Sequence, residues 1–89
     1  MTTKSAKCER TGQNIPLTDG YLVGSVTTGE WSFVSASAIH KPLEYNIAVK
    51  SLTATPEAMV DWLAHLHEKT WFVHSKFFDF FHRFRNEIN

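Results

Sequence analysis

A single cysteine, Cys8, in 89 residues excludes an intramolecular disulfide and leaves any thiolate-built metal site short of ligands. Neither sign of charge dominates. Nine Lys plus Arg oppose nine Asp plus Glu, divided five to four up to Lys50 and four to five after it, so no bulk field recruits nucleic acid or an acidic surface. No apolar run reaches the 18 residues that a membrane-spanning helix needs. The Met1-Thr-Thr-Lys-Ser start has no apolar stretch of the secretory kind, so a reducing, cytoplasmic setting and no membrane partner are expected. Gly-x-Ser-x-Gly, a phosphate-binding glycine loop and His-Glu-x-x-His are all missing, which removes the common signatures of hydrolases, nucleotide-binding proteins and zinc proteases.

Aromatic residues, by contrast, are plentiful: three Trp, two Tyr and seven Phe, in a chain that is 43% hydrophobic. That composition is too apolar for disorder and supplies a core that needs no metal or disulfide staple. Small domains leave a larger share of their surface in water than large ones do, so some of these rings are expected to remain partly exposed.

Residues 1–20 are polar, with Lys4, Lys7 and Arg10 and only Ile15 and Leu17 as apolar anchors, and read as a tail that orders late. Strand character begins at Tyr21-Leu-Val-Gly-Ser-Val26 and resumes at Trp31–Ser35 across Thr27-Thr-Gly-Glu30. A four-residue link holding a glycine predicts an antiparallel hairpin, with Gly29 in the strained position. Trp31 and Phe33 share one face and Val34 the other, and Tyr21 and Val23 alternate in step, so both faces carry apolar residues. Burial on both sides is expected, with homodimerisation through the sheet or the last helix as the second reading. A third strand, Glu44–Lys50, alternates with period two and puts Tyr45, Ile47 and Val49 on one face. The connection Ser35–Leu43 contains Pro42 and is expected to hold a helical turn near Ser37–His40.

The period then changes. Thr55-Pro56-Glu57 reads as a helix start, with Thr55 as cap and Pro56 in the first turn. At about 100° per residue, Met59, Trp62, Leu63 and Leu66 form one stripe with Val60 at its edge. A second helix runs toward Asn89, with Phe77, Phe81, Phe84 and Ile88 as its inner face and Val73 and Phe80 at the margin. The expected fold is one small α+β domain, with the hairpin and third strand forming a three-stranded antiparallel sheet and two C-terminal helices packed on one of its faces.

Candidate chemistry is sparse. Cys8-Glu-Arg-Thr11-Gly12 resembles half of a zinc knuckle with Thr in place of the second Cys, and Cys8 is expected to be a free thiol in a polar segment. Four of five histidines, His65, His67, His74 and His82, fall in the last 25 residues, but neither the two-residue nor the eight-residue spacing makes a chelate on a helix. Asp61 and His65, at i and i+4, are expected on a solvated face without a nucleophile to serve. No catalytic residue, metal or cofactor is therefore expected.

The last helix has more rings than one buried stripe can use. Phe78 falls about 100° from Phe77 and lies along a flank with His74, His82 and Arg85. A phenyl ring bordered by imidazoles and a guanidinium suits an acidic protein surface or a stacked base. The opposite flank, with Lys76, Asp79, Arg83 and Glu87, is expected only to be solvated. The functional expectation is a non-catalytic protein-binding module, an adaptor or inhibitor acting on a larger partner. Its size class also fits accessory proteins that phages and mobile elements direct at host machinery. The alternative is a nucleic-acid-binding or transcription-linked factor using Lys4, Lys7, Arg10, Arg83 and Arg85.

Overall fold

The central hairpin forms where alternation and turn chemistry agree. In the computed structural model, which describes residues 4–40 and 43–88, eight regular elements follow one another. They are β1 (Ser5–Lys7), β2 (Asn14–Pro16), β3 (Gly20–Ser25), β4 (Trp31–Ser35), β5 (Glu44–Ala48), α1 (Val49–Leu52), α2 (Ala58–His67) and α3 (His74–Glu87). Met1, Pro42 and Asn89, to which the sequence reading also refers, lie outside the described residues. The sheet order is β4-β3-β5, antiparallel throughout, with Leu22 opposite both Phe33 and Ile47. Gly29 turns the hairpin at φ 76°, its N–H donating to the Ser25 carbonyl at 2.9 Å. The α+β sheet-then-helix architecture is thus the one expected.

Two faces receive two cores. Leu22, Trp31, Phe33 and Ile47 meet Leu66, Phe77, Phe80 and Phe84 on the helix side, while Val23, Val34 and Cys8 gather on the other with Tyr21, Ala38 and Ile39 against them. Glycine permits the first packing. A Cβ on Gly20 would stand 2.1 Å from the Phe33 ring and one on Gly24 2.8 Å from Trp31, so these bare positions let two large rings lie down across β3.

Within residues 1–20, expected as a late-ordering tail, Ser5–Lys7 and Asn14–Pro16 form a second antiparallel hairpin in which Ala6 pairs with Ile15. The difference is tertiary: Ala6 is buried in the helix-side core and Cys8 in the other, although the segment has too few apolar residues to signal either. The Glu9 N–H donates to the Phe33 carbonyl at 3.0 Å, and a Glu9 carboxylate oxygen accepts the Phe33 N–H at 2.9 Å. Part of the open edge of β4 is thereby covered.

Four further departures are smaller. The third strand ends at Ala48 and Val49–Leu52 becomes a helical turn, because Val49 and Leu52, three apart, both reach the core that way. Helix α2 begins at Ala58, and the Thr55 side chain makes no cap; the Thr55 backbone carbonyl accepts the Ala58 N–H at 3.2 Å instead. The inner stripe of α3 is Phe77, Phe80 and Phe84, with Phe81 only half-buried, a roll of the helix that exchanges the expected places of Phe80 and Phe81. The helical turn expected at Ser37–His40 lies one residue earlier, at Ala36–Ala38.

Candidate functional site on the outer flank of α3

Core packing fixes the rotation of α3. Trp31 meets Phe77 edge-on at 5.0 Å, and Phe84 lies 4.9 Å from Phe33 and stacks on Phe80 at 5.6 Å. With that stripe inward, Phe78 must face out, and it is 40% exposed. His74 lies over it with ring centroids 4.4 Å apart, and His67, the last residue of α2, stacks on His74 at 5.3 Å with ring planes 25° apart. His67 in turn meets Phe72 edge-on at 5.2 Å. Of the four residues expected on this flank, the structure therefore brings His74 and Phe78 into contact. His82 and Arg85 are exposed on the same helix, and neither makes a hydrogen bond or ion pair among the described residues. His67 was missed. Its partnership depends on the six residues between α2 and α3 reversing the chain, which brings the end of one helix to the start of the next.

The opposite flank is exposed, as expected, and reaches the β3–β4 turn and Glu9. The Lys76 ammonium donates to the Thr28 carbonyl at 2.8 Å, and Arg83 lies 4.0 Å from both Glu9 and Glu87. Between this flank and β4 runs a groove of about 390 Å³ bordered by Glu30, Ser32, Asp79 and Phe80. Trp31 also borders it, and its buried indole N–H has no acceptor among the described residues.

The other sequence candidates resolve into structural roles. Cys8 is a free thiol, as expected, but it is fully buried rather than held in an open polar segment, and its sulfur accepts the Thr11 and Ser35 N–H groups, each at 3.4 Å. Burial pushes this thiol up, but those donors and the Thr11 hydroxyl outweigh it and hold the thiol at about 7. Gly12, at φ 75°, closes the turn with its N–H on the Cys8 carbonyl at 2.9 Å, so the knuckle shape is built by N–H groups converging on one sulfur. Among the described residues no three His, Cys, Asp or Glu side chains converge to hold a metal ion. Arg10 is clasped to Glu44 through both terminal guanidinium nitrogens and also donates to the Ala38 carbonyl at 2.7 Å, which pins the knuckle to the connection before β5. The Arg10 hydrogen bond holds the Glu44 carboxyl below the usual range against an opposing push from burial, with help from the His40 N–H. No hydrogen bond joins Asp61 to His65 among the described residues; the His65 ring meets Trp62 edge-on at 6.3 Å.

An α+β domain with an exposed aromatic and imidazole flank is the class that fold and site define. Comparison with protein-family models, curated proteins and solved structures finds no match to this chain. No helix among the described residues is long and apolar enough to cross a membrane.

Proposed function

We propose that this chain is a non-catalytic protein-binding module, an adaptor or inhibitor that presents the outer flank of α3 to a larger partner. One observation carries the reading: Phe78 stands 40% exposed beside His74 on a helix whose other phenylalanines are buried or half-buried. Aromatic residues and Arg are the side chains enriched at the centres of protein interfaces, and here Phe78 and Arg85 lie seven residues apart on one flank. His74 and His82 complete the contact surface. The lone buried thiol suits a reducing, cytoplasmic setting.

The nucleic-acid alternative loses one of its five basic residues to an internal pair. Arg10 is engaged with Glu44 and so is not free to join Arg85 in a phosphate track, and Arg83, though exposed, has Glu9 and Glu87 each 4.0 Å away. The test is capture from the native host, with and without nuclease, using the wild-type chain and the Phe78→Ala and Arg85→Ala variants. Each substitution should weaken a captured protein by about 1–3 kcal/mol while thermal stability stays nearly unchanged. Capture that is lost with nuclease, or that falls steeply with salt, would favour nucleic acid. Retention by both variants would refute the flank. Sedimentation of the purified chain separates a second copy of itself from a foreign partner.

A further inference from the structure

We infer that the outer edge of β5 pairs with the β5 of a second copy of this chain, joining two three-stranded sheets into one of six strands. The inference goes beyond the binding reading above and does not depend on Phe78.

The phase of the hydrogen bonds shows which backbone groups are left over. In an antiparallel ladder each residue turns its N–H and C=O to one side, and successive residues turn to opposite sides. The Ser25 N–H donates to the Glu30 carbonyl, so on β3 Tyr21, Val23 and Ser25 face β4 while Leu22 and Gly24 face β5. The Val26 N–H reaches the Leu43 carbonyl at 3.4 Å, and the same series continues through Tyr45 and Ile47. Glu44, Asn46 and Ala48 therefore turn their backbone groups away from the sheet. Among the described residues none of these groups has a partner except the Ala48 carbonyl, which begins α1. The β4 edge is different. Glu9 takes both backbone groups of Phe33, the Cys8 sulfur takes the Ser35 N–H, and the charges of Glu30, Lys76 and Arg83 flank the remainder. Glu44–Ala48 holds no lysine, proline or bulge of the kind that keeps sheet edges apart, so β5 is a template for another strand.

The side chains select a second copy, in one register. With a two-fold axis at Asn46, Asn46 faces its own counterpart and Glu44 faces Ala48 of the second copy, so all three outward residues are paired. Any other axis pairs fewer of them, and an axis at Glu44 also sets two carboxylates face to face. Tyr45 then comes opposite Ile47 of the second copy in the close, non-hydrogen-bonded position, a favourable aromatic and β-branched pair that symmetry repeats. On the other face the two Asn46 amides meet, each able to donate to the other. Leu43 points the same way. It is 63% exposed, next to Val26 at 36%, and in this register it comes opposite Val49 at the start of α1 of the second copy, which covers it. A foreign strand would satisfy the same backbone groups, but β5 itself supplies the matching side chains. Three outward residues make a small interface, so the association is weak. Since α3 packs toward β4, at the far edge, pairing through β5 leaves the Phe78 flank open on both copies.

The experiment uses the full chain labelled with ¹⁵N at about 20 µM and about 1 mM, followed by sedimentation and amide hydrogen exchange. The average mass should rise toward twice that of the chain at the higher concentration. Over the same range the amides of Glu44, Asn46 and Ala48 should gain about 3-fold or more in protection, while those of Tyr45 and Ile47, already bonded to β3, stay unchanged. That alternation separates strand pairing from the covering of a face. Asn46→Lys places like charges across the axis and should weaken dimerisation at least about 10-fold. Asn46→Pro removes only an outward donor and should give a folded monomer; if it does not fold, the lysine variant decides. A monomer at 1 mM, a dimer without protection at residues 44, 46 and 48, a dimer unchanged by Asn46→Lys, or a dimer lost with Phe78→Ala would each overturn the inference. Failure to capture a Phe78-dependent protein would end the binding reading and leave this one standing.

Discussion

Replacing Gly20 by Ala adds one methyl group to the sheet, and the structure places that methyl inside the Phe33 ring, 2.1 Å from one ring carbon and 2.3 Å from the next. The backbone does not object: Gly20 has φ −99° and ψ 162°, an extended conformation that any residue adopts. The whole cost is therefore steric. Phe33 is 1% exposed and its ring lies 4.9 Å from Phe84, so it has no free volume into which to turn. Overpacking a filled core costs about 1–3 kcal/mol and at times more, and a forced ring displacement belongs at the upper end, about 3 kcal/mol. In a domain of this size that corresponds to a fall of roughly 12–24 °C in Tm. The assay is a double-mutant cycle by thermal and urea unfolding. Phe33→Leu alone should destabilise through a cavity, but combined with Gly20→Ala it should recover about 1–2 kcal/mol of the summed cost, since the smaller side chain frees the space the methyl needs. Additivity to within about 0.5 kcal/mol would show that the ring does not lie over Gly20, and the account of why β3 carries glycine would be wrong.

Three further outcomes are expected. Glu44→Gln should cost about 1 kcal/mol near pH 7, a value kept low because the Arg10 side chain is 26% exposed. Because the folded carboxyl is held below its usual 4.5, the stabilisation is full above that pH and lost as pH falls through the folded value, so the Tm gap between wild type and variant should close in acid; a gap constant from pH 7 to pH 3 would refute the ion pair. Cys8 should react with iodoacetamide at least about 100-fold more slowly in the native protein than in urea, because a buried sulfur is reached only by opening; and since its folded pKa of about 7 lies below the ordinary 9.0, stability should rise as pH climbs between those values. Among the α3 rings, Phe80→Ala should destabilise by about 3–5 kcal/mol, the half-buried Phe81→Ala by less, and Phe78→Ala by less than about 1 kcal/mol in urea unfolding; equal costs at Phe78 and Phe80 would put the flank in the core.

What could be read from sequence was whatever a period or a turn residue encodes by itself. Tyr21–Val26, Trp31–Ser35 and Glu44–Ala48 alternate, and Gly29 marks the turn, so the hairpin and third strand were legible. Helix phase likewise separated Phe78 from the inner stripe. The misses are tertiary. Val-Lys-Ser-Leu at 49–52 satisfies a strand and a helical turn equally, and only the position of the core selects the turn. Strands of three residues, as in Ser5–Lys7 and Asn14–Pro16, are too short to show alternation, so neither the first hairpin nor the burial of Cys8 left a pattern. Phe80 and Phe81 differ by a rotation of about 100°, and the choice between them depends on where Phe33 and Trp31 place the sheet's largest side chains. At the candidate site, the neighbours His74 and Phe78 followed from an i, i+4 spacing, whereas His67 needed the path of a loop.

The flank is held by the same packing that excludes it from the core. Phe77 and Phe78 are adjacent in sequence and meet edge-on with ring planes 90° apart and centroids at 5.5 Å, so fixing one direction fixes the other. Phe77 is locked against Trp31, and Trp31 lies flat only because Gly24 has no side chain. A chain of steric constraints therefore runs from a bare position on β3, through two buried rings, to the exposed ring proposed as the anchor. Rigid presentation reduces the ordering cost of association, which is why a single phenyl ring on a small helix can act as an anchor at all. Gly24→Ala should test this directly. Its Cβ would meet Trp31 at 2.8 Å and tilt the indole, so the variant should lose affinity at Phe78, although residue 24 lies in the sheet beneath the helix. The readouts are partner affinity under conditions where the variant is folded and the NMR shifts of the Phe77 and Phe78 ring protons. Unchanged affinity together with moved ring shifts would show that the anchor tolerates a shift of its support, and the argument from rigidity would fall.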